Sequence, residues 1–192
     1  AAIKSLVNLV SYEAEDFEMQ SIHIKKLFYK YKCRICAIDA NGLGVGLVDF
    51  LTKAQIDPET SEELPPFGVE GGTSEDAVEL YRKIKGDNVE RDALYLIKAN
   101  APINTEAHAY VQTQLASGKI KMLIDEREAG AKLMATKVGQ NMTPDQRADY
   151  LRPFTLTTVL KEQMLNLIED NEGVNIILKQ NNRGIKKDRF SA

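Results

Sequence analysis

The residues best suited to chemistry lie in "CAIDANGLGVGLVDFL", positions 36 to 51, where Asp39 closes an apolar run and Gly42, Gly44 and Gly46 follow it. An aspartate at a strand end can offer oxygen ligands to a hard divalent cation. It can equally accept bonds from the next amides and open a turn into a helix. The glycines would let the backbone approach a phosphate or a nucleic-acid backbone closely. Their spacing is not Gly-x-Gly-x-x-Gly, and the Gly-Lys-Ser/Thr ending of a phosphate-cradling loop is missing. Read alone, the stretch favours the turn.

A second concentration of charge is "KQNNRGIKKDRFSA", positions 179 to 192. Five cations, Lys179, Arg183, Lys186, Lys187 and Arg189, surround the one acid, Asp188. A carboxylate among so many cations stays ionised easily. The plain reading is a solvated basic tail. The sharper one is a metal-holding aspartate ringed by phosphate contacts.

The remaining candidates are weaker. Cys33 and Cys36 supply half of a structural zinc site, with no second pair in the chain, and read as buried, inert thiols in a strand. His23 and His108 sit in helical patterns with no metal-ligand partner nearby in sequence. Asp125 and Glu126 suit a helix start. No Gly-x-Ser-x-Gly elbow points to acyl chemistry.

The elements that must position these residues alternate. "IKSLVNLVSY" mixes apolar and β-branched residues as a strand does. Asp16 caps a helix running to about Tyr31. "CRICAID", continuously apolar, reads as a strand covered on both faces, and a helix follows from about 43 to 54. Positions 55 to 66, acidic and bearing prolines, read as a loop; "FGVEGG" and "DALYLIKA" read as strands. Pro102 opens a helix that Gly118 ends, "KIKML" is a short strand, and a helix spans about 126 to 137. Thr143-Pro144 starts another helix. Pro153 is expected to kink or interrupt it, with a further helix over about 155 to 170. "GVNIILK" is the last strand. Strand, helix, strand, helix implies parallel pairing through helical crossovers, an α/β fold.

A chain of 192 residues that is 43% hydrophobic and 28% charged can bury a core and behave as one soluble domain. No apolar run reaches the roughly 20 residues a bilayer span needs, so no membrane partner is expected. The paired thiols suggest a reducing, cytoplasmic compartment. The net charge of −3 excludes a uniformly basic surface, so any nucleic acid must meet a local patch.

Taken in order along the chain, "CAIDANGLGVGLVDFL", "NAPINTEAHAYVQTQLASGKIKML" and the closing "KKDRFSA" resemble the nuclease domain of the large terminase subunit of tailed bacteriophages and prophages. The resemblance covers nearly the whole chain. It implies a ribonuclease-H-like mixed sheet with helices on both faces, within a packaging motor that also carries an N-terminal ATPase domain. It implies metal-dependent cleavage of concatemeric double-stranded DNA by two Mg2+ or Mn2+ ions. Asp39 and Asp188 then become the catalytic, metal-binding acids, expected to meet at one sheet edge. Arg183, Lys186, Lys187 and Arg189 become DNA contacts, and Gly42, Gly44 and Gly46 points of backbone approach. The implied partners are DNA, the portal, the small terminase subunit and the ATPase domain, in the cytoplasm of a bacterial host.

One family feature has no match. The first acid belongs on the first strand, whereas "AAIKSLVNLVSY" resembles the second, so the chain is expected to lack that strand and to cleave weakly or not at all. Glu13, Glu15 and Asp16 are poor substitutes by position. Two other classes remain open: a mononucleotide-binding α/β module that uses the glycines as a phosphate cradle, and a catalytically dead docking domain of the motor.

Overall fold

The computed structural model describes residues 2–12, 15–84, 89 and 91–185. Along the chain run β1 (Lys4–Ser5), α1 (Phe17–Lys30), β2 (Cys36–Asp39), α2 (Gly44–Leu51), β3 (Gln55–Ile56), β4 (Glu63–Leu64), β5 (Phe67–Gly72), α3 (Glu75–Ile84) and β6 (Arg91–Ile97). They continue with α4 (Ala101–Ala116), β7 (Ile120–Lys121), α5 (Glu126–Met134), α6 (Lys137–Asn141), α7 (Pro144–Leu165), β8 (Leu167–Glu172) and β9 (Asn175–Gln180). The fold is mixed α/β, with parallel and antiparallel pairing. The chain divides into two compact units, Tyr12–Asn100 and the combination of Ala1–Ser11 with Ala101–Ala192.

The Tyr12–Asn100 unit is built on a parallel sheet in the order β2-β6-β5. β6 is central because its run "ALYLI" can be covered on both faces; Ala93, Leu94 and Leu96 are fully buried. Cys36 to Asp39 pair with Leu94 to Ile97 in unbroken register. β5 pairs less regularly, with register shifts around Val69. α1 begins at Asp16, whose carboxylate accepts the Met19 amide at 2.8 Å, and ends as Lys32 takes φ 51°. Its Phe28 ring lies 4.7 Å from that of Phe67 on β5. Tyr81 of α3 donates to Asp49 of α2 at 2.9 Å. These contacts close one core that includes Phe28, Leu51, Phe67, Val78 and Leu96.

The stretch 55–66 is not simply a loop. β3 and β4 form a small antiparallel hairpin there. Asp57, nearly fully buried, organises its turn by accepting the Glu59 amide at 3.0 Å and the Thr60 hydroxyl at 3.1 Å. Lys26 of α1 closes on the same carboxylate at 2.9 Å. The acidic composition thus specifies a clamp as well as exposure.

In the other unit, β1 pairs in parallel with β7, and β8 with β9 in an antiparallel hairpin. Only Lys4 and Ser5 of the expected first strand form ladder pairs. α4 ends as anticipated, with Gly118 at φ +65° and Lys119 donating back to Gln114. α7 differs from expectation in two ways. It runs through Pro153 without a break, and it stops at Leu165, so Leu167 and Ile168 enter β8 rather than continuing a helical stripe. The start is well fixed: Thr143 accepts the Gln146 amide and Gln146 reaches back to the Thr143 amide, a reciprocal capping box. At the far end Gly173, at φ +63°, opens the two-residue turn between β8 and β9, and strand pairing outcompetes the helical pattern. No helix among the described residues is long and apolar enough to cross a membrane.

Candidate functional site

Asp39 is the last residue of β2, exposed, at the carboxyl end of the parallel sheet. Open α/β sheets place ligand sites at that edge because the strands end there and the chain turns away. The local geometry first gives Asp39 the turn role. Its Oδ1 accepts the Asn41 amide at 3.0 Å. Asn41 in turn donates through its side chain to the Ala99 carbonyl at 3.1 Å, and the Ala40 amide reaches Ile97 at 2.7 Å. The strand-to-helix turn after β2 is therefore tied to the end of β6.

The three glycines divide their work. Gly42 takes φ +53° and its missing Cβ would meet open space, so the turn itself requires it. A Cβ at Gly44 would fall far inside contact with the Asp39 carbonyl. One at Gly46 would lie 2.8 Å from the Phe17 ring. Internal packing accounts for glycine at both positions without a phosphate. Of the three, Gly42 alone faces open space.

Neighbouring strand ends add polar groups that the sequence did not single out. The Lys98 amide donates to the Thr73 hydroxyl at 2.7 Å, which joins the end of β6 to the end of β5. Asp39, Asn41, Thr73 and Lys98 are all exposed along this edge. Lys98 directly follows the residue paired with Asp39. The signal was available, since each stands at the end of a run read as a strand.

Of the basic set, Arg183 is exposed in the turn after β9. Asp188, Lys186, Lys187 and Arg189 lie outside the described residues, as does Glu13. Among the described residues no group of three or more His, Cys, Asp or Glu side chains could hold a metal ion. As one exposed carboxylate, Asp39 suits a hard cation as a single oxygen donor.

The other candidates resolve into local roles. Cys33 precedes β2 rather than lying in it, and both thiols are free and half-buried against the core. Burial, reinforced by Cys33, pushes the Cys36 thiol up to about 11, so it stays protonated near neutral pH. Asp125 caps α5 by accepting the Arg127 amide at 2.8 Å. His23 does have a carboxylate neighbour, contrary to expectation: its Nδ1 lies 3.2 Å from Glu15, with the Tyr12 ring 4.9 Å away. Burial and the Glu15 charge raise the Tyr12 hydroxyl above its usual value.

Lys25 stands on α1. Its side chain is 0% exposed, donating to the Lys53 carbonyl at 2.5 Å beneath the Phe67 ring. Burial pushes its ammonium down to about 8. No family model, curated protein or solved structure matches the chain.

Proposed function

We propose that this chain is the nuclease domain of a large terminase subunit, with a ribonuclease-H-like fold, acting on double-stranded DNA during phage genome packaging. The observation that carries the reading is the exposed carboxylate of Asp39, at the carboxyl end of a parallel strand and immediately before a glycine turn. The order of motifs along the chain supports it. The reaction class is phosphodiester hydrolysis, an in-line attack by water on phosphorus. Bound Mg2+ or Mn2+ would generate the hydroxide and neutralise the leaving oxygen.

Within that chemistry the chain's own residues have separable roles. Asp39 offers an oxygen ligand, with its carboxylate already oriented by the Asn41 amide. Asp188 offers another. Arg183, Lys186, Lys187 and Arg189 neutralise phosphates without reading sequence. Lys98 and Thr73, exposed on the same sheet edge as Asp39, are further phosphate contacts.

Plasmid cleavage in Mn2+ by the full-length protein tests the reading. Cleavage should disappear in Asp39→Asn, which keeps the side chain's size and removes its charge. Full activity in that variant would take Asp39 out of the mechanism. Under the mononucleotide alternative the chain would bind nucleotide without metal-dependent cleavage. Its phosphate cradle is weakened here, because internal packing already accounts for Gly44 and Gly46. A pure docking role would leave both assays blank.

A further inference from the structure

Asn166 is a buried polar side chain, 8% exposed, at the junction between α7 and β8. A buried amide is expensive unless its donors and acceptors are met. Here they are met by one short segment. Its Nδ2 donates to the carbonyls of Asn182, at 2.9 Å, and Ile185, at 3.3 Å. Its Oδ1 accepts the Asn182 amide at 2.8 Å, and its backbone carbonyl accepts the Asn181 amide at 2.8 Å. The segment is also braced from within: Asn182 Oδ1 accepts the Gly184 amide at 2.9 Å, and Gln180 donates to the Ile185 carbonyl at 2.8 Å.

The turn held in this way carries exposed Arg183. Nothing apolar explains the grip, since residues 181–185 are all exposed. A single buried amide fixes where Arg183 stands. We propose that Asn166 is a positioning residue for phosphate contact: it presents the 181–185 turn so that Arg183 engages a DNA backbone. This rests on the nuclease reading for the identity of the polyanion.

The test is binding of the full chain to a random-sequence DNA duplex across a salt series, alongside amide hydrogen exchange. In Asn166→Asp the two Nδ2 donations are replaced by a carboxylate facing two carbonyls. Exchange at Asn182 and Ile185 should accelerate. Affinity should fall several-fold, with a salt slope shallower by about one phosphate contact. Arg183→Gln should give a similar loss alone and little more when combined with Asn166→Asp. Asn182→Ala, at an exposed position, removes the internal brace and should give a smaller loss in the same direction, which covers the case in which Asn166→Asp fails to fold. If exchange accelerates while affinity and slope stay at wild-type values, or if the two substitutions add fully, Asn166 is structural only and the proposal is overturned with the nuclease reading intact. If the wild-type chain shows no salt-dependent DNA binding, the nuclease reading itself falls and takes this role with it.

Discussion

The two units differ in how much apolar surface they bury. The Tyr12–Asn100 unit closes a continuous apolar core around its parallel sheet, in which Phe67, Leu94, Leu96, Val48 and Leu51 are essentially inaccessible. Both bury polar side chains, Ser21, Lys25, Gln55 and Asp57 in this unit and Gln114, Thr157, Gln163 and Asn166 in the other, but among the described residues the other buries only Ala129 and Leu133 of its hydrophobics. Apolar burial is non-directional and scales with area. Buried polar groups contribute through geometry, each worth about 1 kcal/mol net when satisfied and more when orphaned. Among the described residues the first unit therefore adds a large apolar core to its buried polar contacts, whereas the second relies more heavily on particular partners. The candidate acid stands on the first and the basic turn on the second.

The largest effect that could break this contrast is Phe67→Ala. Removing a side chain 1% exposed should destabilise the Tyr12–Asn100 unit by about 3–5 kcal/mol, read by denaturant unfolding and hydrogen exchange. Thr157→Val should cost the other unit only about 1 kcal/mol, since it removes one bond to the Pro153 carbonyl. Equal losses would erase the distinction.

Lys25 gives the next effect, as a buried cation of the first unit held against the Phe67 ring. Its folded value of about 8 lies below the 10.5 of an unconstrained lysine. Between those values the unfolded chain binds the extra proton, so stability rises as pH increases through the window. Below pH 8 the full burial penalty is present, about 3 kcal/mol at 1.36 kcal/mol per unit. Cys36 acts oppositely: its raised value means stability declines as pH rises between 9 and 11. The difference between wild type and Lys25→Met isolates the lysine. The wild type should gain on the variant from pH 8 to 10, and parallel curves would show that Lys25 is not buried as described.

Two smaller effects belong to the second unit. Thr143→Ala removes a complete capping box and should cost about 1 kcal/mol, visible as lost amide protection in the first turn of α7. Glu128→Gln breaks an exposed ion pair with Lys132 and should change stability by no more than about 0.5 kcal/mol.

The amino-acid sequence alone determined whatever depends on neighbours two to four residues apart. The Asp16 and Thr143 caps, the Gly118 helix end, the Asx-type role of Asp39 and the existence of the strand that ends at Ile97 were all legible, because each rests on a local bond or a short apolar run; which strand is central was not. Tertiary structure decided the rest. Whether "IKSLVNLVSY" pairs along its length depends on a partner strand. Whether Leu167 extends a helix depends on β9 competing for its backbone. Lys25 lies under Phe67 because residues far along the chain close over it. Long-range contacts leave no periodic trace in composition, so burial of a charged residue, and the grip of Asn166 on a turn fifteen or more positions away, emerge only when the chain has folded.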